Sequence, residues 1–110
     1  MKKIVKICSI ALFVALSASV VSAADATNGK QLARKCSVCH GRDGLSRDSE
    51  VPSLAGQPEY YLRKSMTDFK VGAREDRRMS LMARAWDDED IMDLAAWFSS
   101  IIVTVEMPAE

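Results

Sequence analysis

Residues 36–40 read Cys-Ser-Val-Cys-His, and no other stretch narrows the possible folds of this chain so far. Two thiols and an imidazole fall within five residues, and His40 is the only histidine of 110 residues. Residues three and four apart share a helical face, so on a helix Cys36, Cys39 and His40 point the same way. A cluster of that kind organises a fold around whatever it binds. Three occupants use it: a bare zinc ion, a pair of redox-active thiols, and a covalently attached porphyrin.

Where the thiols end up bears on the choice. Lys2, Lys3 and Lys6 form a basic head, "ICSIALFVALSASVV" follows without a charge, and "VSAA" offers small residues for a signal peptidase. This is the pattern of a cleaved export signal, with the cut after Ala23, which makes residues 1–23 a leader and 24–110 the working domain. As a membrane anchor the apolar run is too short, since fifteen helical residues span about 22 Å against a hydrocarbon core of about 30 Å. A lipid anchor on Cys8 is not expected, because Lys6 sits two residues before it and the apolar run lies on its wrong side. The exported domain keeps twelve basic and fifteen acidic side chains, a balance that argues against a nucleic-acid binder. A domain this small has little buried surface and often needs a staple or a cofactor.

The periodicity predicts an all-α body. A first helix is expected from Ala26 to Val38, with Asp25 or Thr27 as its cap. A second begins in "QPEYYLRKSMTDFKVG", with Pro58 in its first turn, Gly72 at its end, and Leu62, Met66 and Phe69 as its apolar stripe. A third starts after Asp87, its early acids complementing the helix dipole, and Ile91, Leu94, Ala95, Phe98 and Ile101 line one side. Residues 41–56 and 73–86 show no apolar periodicity and are expected as long loops, which in a compact domain are usually functional. "IIVTVEMPAE" favours extended chain but is too short to make a sheet alone.

Against this background the three occupants separate. A zinc site normally takes four protein ligands, and the exported domain offers only Cys36, Cys39 and His40 as Cys/His candidates. A reactive dithiol gains its lowered pKa at a helix N-terminus. Here the pair is expected at the end of a helix, just before Gly41, and no βαβ pattern surrounds it. Haem c attachment uses this C-x-x-C-H arrangement, each thiol adding across a vinyl group while the adjacent histidine supplies a nitrogen to the iron. Haem c is the expected cofactor, one group held by Cys36 and Cys39, with His40 as an iron ligand.

The sixth iron position decides what such a site does. With a single histidine, methionine is the usual second ligand and raises the reduction potential. Met66 lies on an apolar stripe, Met92 lies off the buried face of the third helix, and Met107 sits in the tail. Met79 and Met82 remain, both in the 73–86 segment, and spacing alone barely separates them.

The stretches "CSVCHG", "VPSLAGQPEYYLRKSMTDFKVGAR" and "MSLMARAWDDEDIMDLAAWFSSI" together resemble the small class I c-type cytochromes of bacterial periplasms, in the same order over nearly all of residues 25–101. The resemblance implies a small cytochrome c fold, three main helices with long loops around one haem. It places the axial methionine on Met79, with Met82 just after it, and implies that the carbonyl of Pro52 takes the ring N–H of His40. It also implies that Gly29 lets the first and last helices cross closely near Trp97 or Phe98. The function it implies is transfer of single electrons between periplasmic redox proteins, without catalytic residues and without membrane insertion. Trp86 before the last helix and the extended tail are similar to cytochrome subunits of flavocytochrome-type sulfide dehydrogenases, which makes a flavoprotein dehydrogenase a possible donor and a terminal oxidase or reductase a possible acceptor. A gas sensor with an open sixth position is the third reading. Arg74, Arg77, Arg78 and Arg84 surround the Met79 segment, so a positive rim for an acidic partner is a further expectation.

Overall fold

The computed structural model describes residues 22–109, so the leader reading lies almost wholly outside the described residues. Five α-helices occur in this range: α1 Ala26–Leu32, α2 Ser37–His40, α3 Glu59–Val71, α4 Met79–Arg84 and α5 Asp88–Ser100. A 3-10 turn, Ala33–Lys35, joins α1 to α2, and there is no strand among the described residues.

The core is built on α5. Asp87 accepts from the Asp90 N–H, and Asp88, Glu89 and Asp90 place negative charge in the first turn, where the helix dipole favours it. Ile91, Leu94, Ala95 and Phe98 are buried on one face and meet Ala33, Leu62 and Trp86. Burying each of the larger side chains contributes about 1.5–3 kcal/mol. α5 packs against α1 and α3, and α3 packs against α4.

At the α1–α5 crossing the backbones nearly touch. A Cβ on Gly29 would lie 2.0 Å from the Asp93 carbonyl oxygen and 2.9 Å from the Trp97 Cβ, so the contact beside the glycine is made by Trp97. Asp93 is buried there. It accepts from the Asp25 N–H at 2.6 Å and from the Asn28 side-chain amide at 2.8 Å, so neither carboxylate oxygen is left unpaired. Asp25 in turn caps α1 by accepting from the Thr27 and Asn28 N–H groups.

Four expectations change. The predicted helix over 26–38 is broken by the 3-10 turn, although no Gly or Pro lies between 30 and 38. Each 3-10 residue turns the chain about 120° instead of about 100°, so three of them rotate α2 by about 60° relative to α1. The cause is tertiary: Ala33 is driven into the core while Arg34 and Lys35 stay exposed. Pro58 caps α3 from outside instead of lying in its first turn. Ile101 is the residue after α5, not part of its helical face. The 73–86 segment is not all loop, because α4 forms inside it with Ala83 as its only buried side chain. One buried alanine leaves no apolar periodicity to read. The described part of the tail beyond α5 forms neither helix nor strand.

Candidate functional site

A cavity of about 600 Å³ opens between α2, α3, α4, α5 and the 50–57 loop. Tyr61, Leu62, Met66 and Phe69 of α3 form one wall, and Ile91, Leu94, Ala95 and Phe98 of α5 form another. Leu54 and Trp86 close the remainder. A chamber walled by aliphatic and aromatic side chains suits a flat hydrophobic prosthetic group better than an ion.

The polar groups it contains are specific. Cys36, Cys39 and His40 all line the cavity. The His40 ring is buried, and its Nδ1 lies 2.7 Å from the Pro52 carbonyl oxygen. A carbonyl only accepts, so Nδ1 carries the proton, and in the neutral ring the lone pair is on Nε2. That bond fixes the ring orientation and makes Nε2 a better donor to a metal. Cys36 is half-buried and packs against the core, whereas Cys39 is exposed. Burial pushes the Cys36 thiol up to about 11, the neighbouring Cys39 adds to this, and Lys35 opposes it. A thiol shifted that way is the reverse of a reactive dithiol, whose nucleophile needs a lowered pKa. Among the described residues no group of three His, Cys, Asp or Glu side chains is placed to hold a bare metal ion.

Met79 and Met82 line the same cavity, one helical turn apart on α4. Met79 is partly buried, and Met82 is 37 % exposed. Met66 also reaches the cavity from α3 while packing against the core, whereas Met92 is not on its wall and Met107 is exposed in the tail. The structure thus brings Cys36, Cys39, His40, Pro52, Met79 and Met82 to one chamber.

The rim departs from the expected one-signed ring. Arg74 and Arg78 line the cavity with Lys35, but Glu50, Glu75 and Asp76 line it too. Arg77 and Arg84 are exposed and lie off the wall. The Arg74 guanidinium sits over the Phe69 ring, 4.5 Å from its centroid, and the Lys35 ammonium sits over Trp86 at 4.8 Å. Such cations cover aromatic walls as much as they project a field. On the outer side of α2 an open groove of about 650 Å³ shares Val38, Cys39 and Val51 with the cavity, and Val38 is 88 % exposed. The chamber is therefore open to solvent beside Cys39.

Two contributors escape a reading of the sequence. Trp86 stands out there only as an unusual residue before a helix cap, yet it is a buried wall. Asp76 passes as a loop charge, yet its carboxylate accepts from the Arg78 and Met79 N–H groups. Those backbone bonds hold its carboxyl below the usual range. The available signal was an aspartate three residues before a short helix-compatible run, which is N-cap spacing.

Comparison with known proteins gives a consistent answer. The family model for cytochrome c matches residues 26–101. Cytochrome c4 of Pseudomonas aeruginosa is 39 % identical over 99 residues, covering 90 % of this chain and 49 % of that protein. The cytochrome subunit of sulfide dehydrogenase from Chlorobaculum tepidum is 33 % identical over 75 residues, covering 68 % of this chain and 67 % of the relative. Among solved structures, reduced recombinant cytochrome c4 from Pseudomonas stutzeri matches with a TM-score of 0.70 at 38 % identity, over 76 % of this chain and 48 % of that one. The chain spans about half the length of these cytochrome c4 proteins.

Proposed function

This chain belongs to the cytochrome c family, and from that premise we propose that it carries single electrons between periplasmic redox proteins. Covalently bound haem c is the cofactor of that family, and the residues present fit it: an apolar chamber, two thiols at C-x-x-C spacing and an oriented imidazole. When bound, the haem supplies an iron centre that exchanges one electron.

The rest is the work of the chain. Cys36 and Cys39 hold the group in place, and His40 is oriented by Pro52 to donate through Nε2. Met79 supplies the sixth ligand; its partial burial and its position at the start of α4 support it over the more exposed Met82. Phe69, Leu94 and Phe98 keep water from the interior. The observation that carries the reading is the convergence of one imidazole and a thioether helix on a single apolar chamber. With His40 and Met79 both holding the iron, no position would be left for a substrate, and the chain would act as a carrier without a catalytic acid, base or nucleophile. Export by a leader ending at Ala23 supplies the compartment in which haem c is attached. No helix among the described residues is long and apolar enough to cross a membrane.

The test is spectroscopic. Met79→Ala should abolish the methionine–iron charge-transfer band of the oxidised protein and let carbon monoxide bind the reduced form, while Met82→Ala keeps the band. A band surviving in Met79→Ala and lost in Met82→Ala reassigns the ligand. Ready carbon monoxide binding by the unaltered protein marks a gas sensor instead. A second reading, service as the cytochrome subunit of a flavin-containing dehydrogenase, is favoured by the exposed Ile102, Val105 and Met107 of the tail, all beyond the family match. Purification with a larger flavoprotein would establish it.

A further inference from the structure

We propose that Asp76 is the positioning residue that presents Met79, and not Met82, to the haem iron; this rests on the His40/Met79 ligation reading above. Both thioethers line the cavity from the same short helix, three residues apart. Which of them reaches the iron therefore depends on where α4 begins and how firmly its first turn is held. Tertiary packing does little of this, because Ala83 is the only buried residue of α4.

The hydrogen bonds at its start do more. The Asp76 Oδ1 accepts from the Arg78 N–H at 2.9 Å and from the Met79 N–H at 2.7 Å. In return the Asp76 N–H donates to the Ser80 hydroxyl at 3.0 Å, and the Ser80 N–H donates to the Asp76 carbonyl at 2.9 Å. These four bonds form a closed clamp around residues 76–80. The first amides of a helix have no partner within it, and a short acidic side chain in this position supplies one. The clamp grips Met79 by its own backbone. The Met82 N–H makes an ordinary helical bond to the Arg78 carbonyl, at 3.0 Å, and no side chain grips its backbone. Losing the clamp frays the turn that carries Met79 and leaves the turn that carries Met82 helical.

The test uses the haem-loaded protein and compares Asp76→Ala, Asp76→Asn and Asp76→Glu. Asparagine keeps a short side-chain oxygen that accepts both amides, whereas alanine has none and glutamate sets its oxygens one carbon too far out. Asp76→Ala should raise the fraction of molecules with Met79 detached about five-fold, the scale of one lost helix cap. The readouts are a weaker charge-transfer band and faster carbon monoxide binding to the reduced protein, with far-ultraviolet circular dichroism unchanged. Asp76→Asn should match the unaltered protein, and Asp76→Glu should resemble alanine. Asp76 is exposed, so these variants are expected to mature and fold. Unchanged ligation in Asp76→Ala overturns the proposal, as does an asparagine variant as impaired as alanine. If the unaltered protein has no methionine band, or Met79→Ala retains one, the ligation reading itself has failed and this proposal falls with it.

Discussion

The two sides of the cavity are held by opposite means. Behind Cys36, Cys39 and His40, α1 and α5 cross with backbone against backbone, and a buried carboxylate bonds both to the chain entering α1 and to α1 itself. On the methionine side, residues 73–84 bury a single alanine, and exposed local hydrogen bonds define the turn. The first side has no freedom to adjust, so its lesions become unfolding. The second buries little, so under the proposed ligation its lesions should change ligation and leave the body standing.

One substitution made in two places probes that contrast. Gly29→Ala should have the largest effect, because its new Cβ meets the Asp93 backbone at 2.0 Å and the helices must separate to admit it. A loss of about 3 kcal/mol or more in denaturant unfolding is expected. A loss below about 1 kcal/mol would mean that the crossing yields, and the contrast would fail. Gly72→Ala, at the entry to the methionine segment, meets nothing within 4 Å and is strained only by its φ of +81°. Its cost should be about 1–2 kcal/mol, with the charge-transfer band intact.

The smallest effect concerns the loop beyond His40. There Arg47, by a side-chain hydrogen bond, and the Leu45 N–H hold the Asp43 carboxyl well below its ordinary range. A depressed folded-state pKa gives stability that is present above the unfolded value, about 3.9, and is withdrawn as pH falls through the folded one. Both partners are fully exposed, so Arg47→Ala should only flatten the acid end of the stability profile slightly. A slightly lower melting temperature near neutral pH, with the difference from the unaltered protein shrinking as pH falls below about 4, is the expected result.

Much of this was legible in the residues because it depends on short-range pattern. Asp87 with three following acids and the Ile91–Phe98 stripe specify α5 without reference to anything else. Leu62, Met66, Phe69, Leu94 and Phe98, expected on the apolar faces of their helices, all stand on the cavity. Gly29 reads as a close-packing glycine because a helix interior otherwise disfavours it. The illegible parts are those where distant contacts override local preference. Nothing between 30 and 38 announces a 3-10 turn, since the need to bury Ala33 and turn α2 arises only once α5 is in place. The arginines looked like a positive rim because sequence counts charges along the chain, whereas Glu50 joins Glu75 and Asp76 at the cavity only in three dimensions.

By itself, then, the sequence determined the helical class, the C-x-x-C-H attachment chemistry and the candidates for the sixth ligand, because each is set by residue type and spacing within one helix or one turn. The contact of Pro52 with the His40 ring was implied by the family resemblance, and the tertiary structure brings the two residues, twelve apart, together. It also decided that α4 forms within a stretch without periodicity, and that Trp86 walls the cavity. Those depend on which segments meet across the chamber, and spacing along the chain carries no such distance.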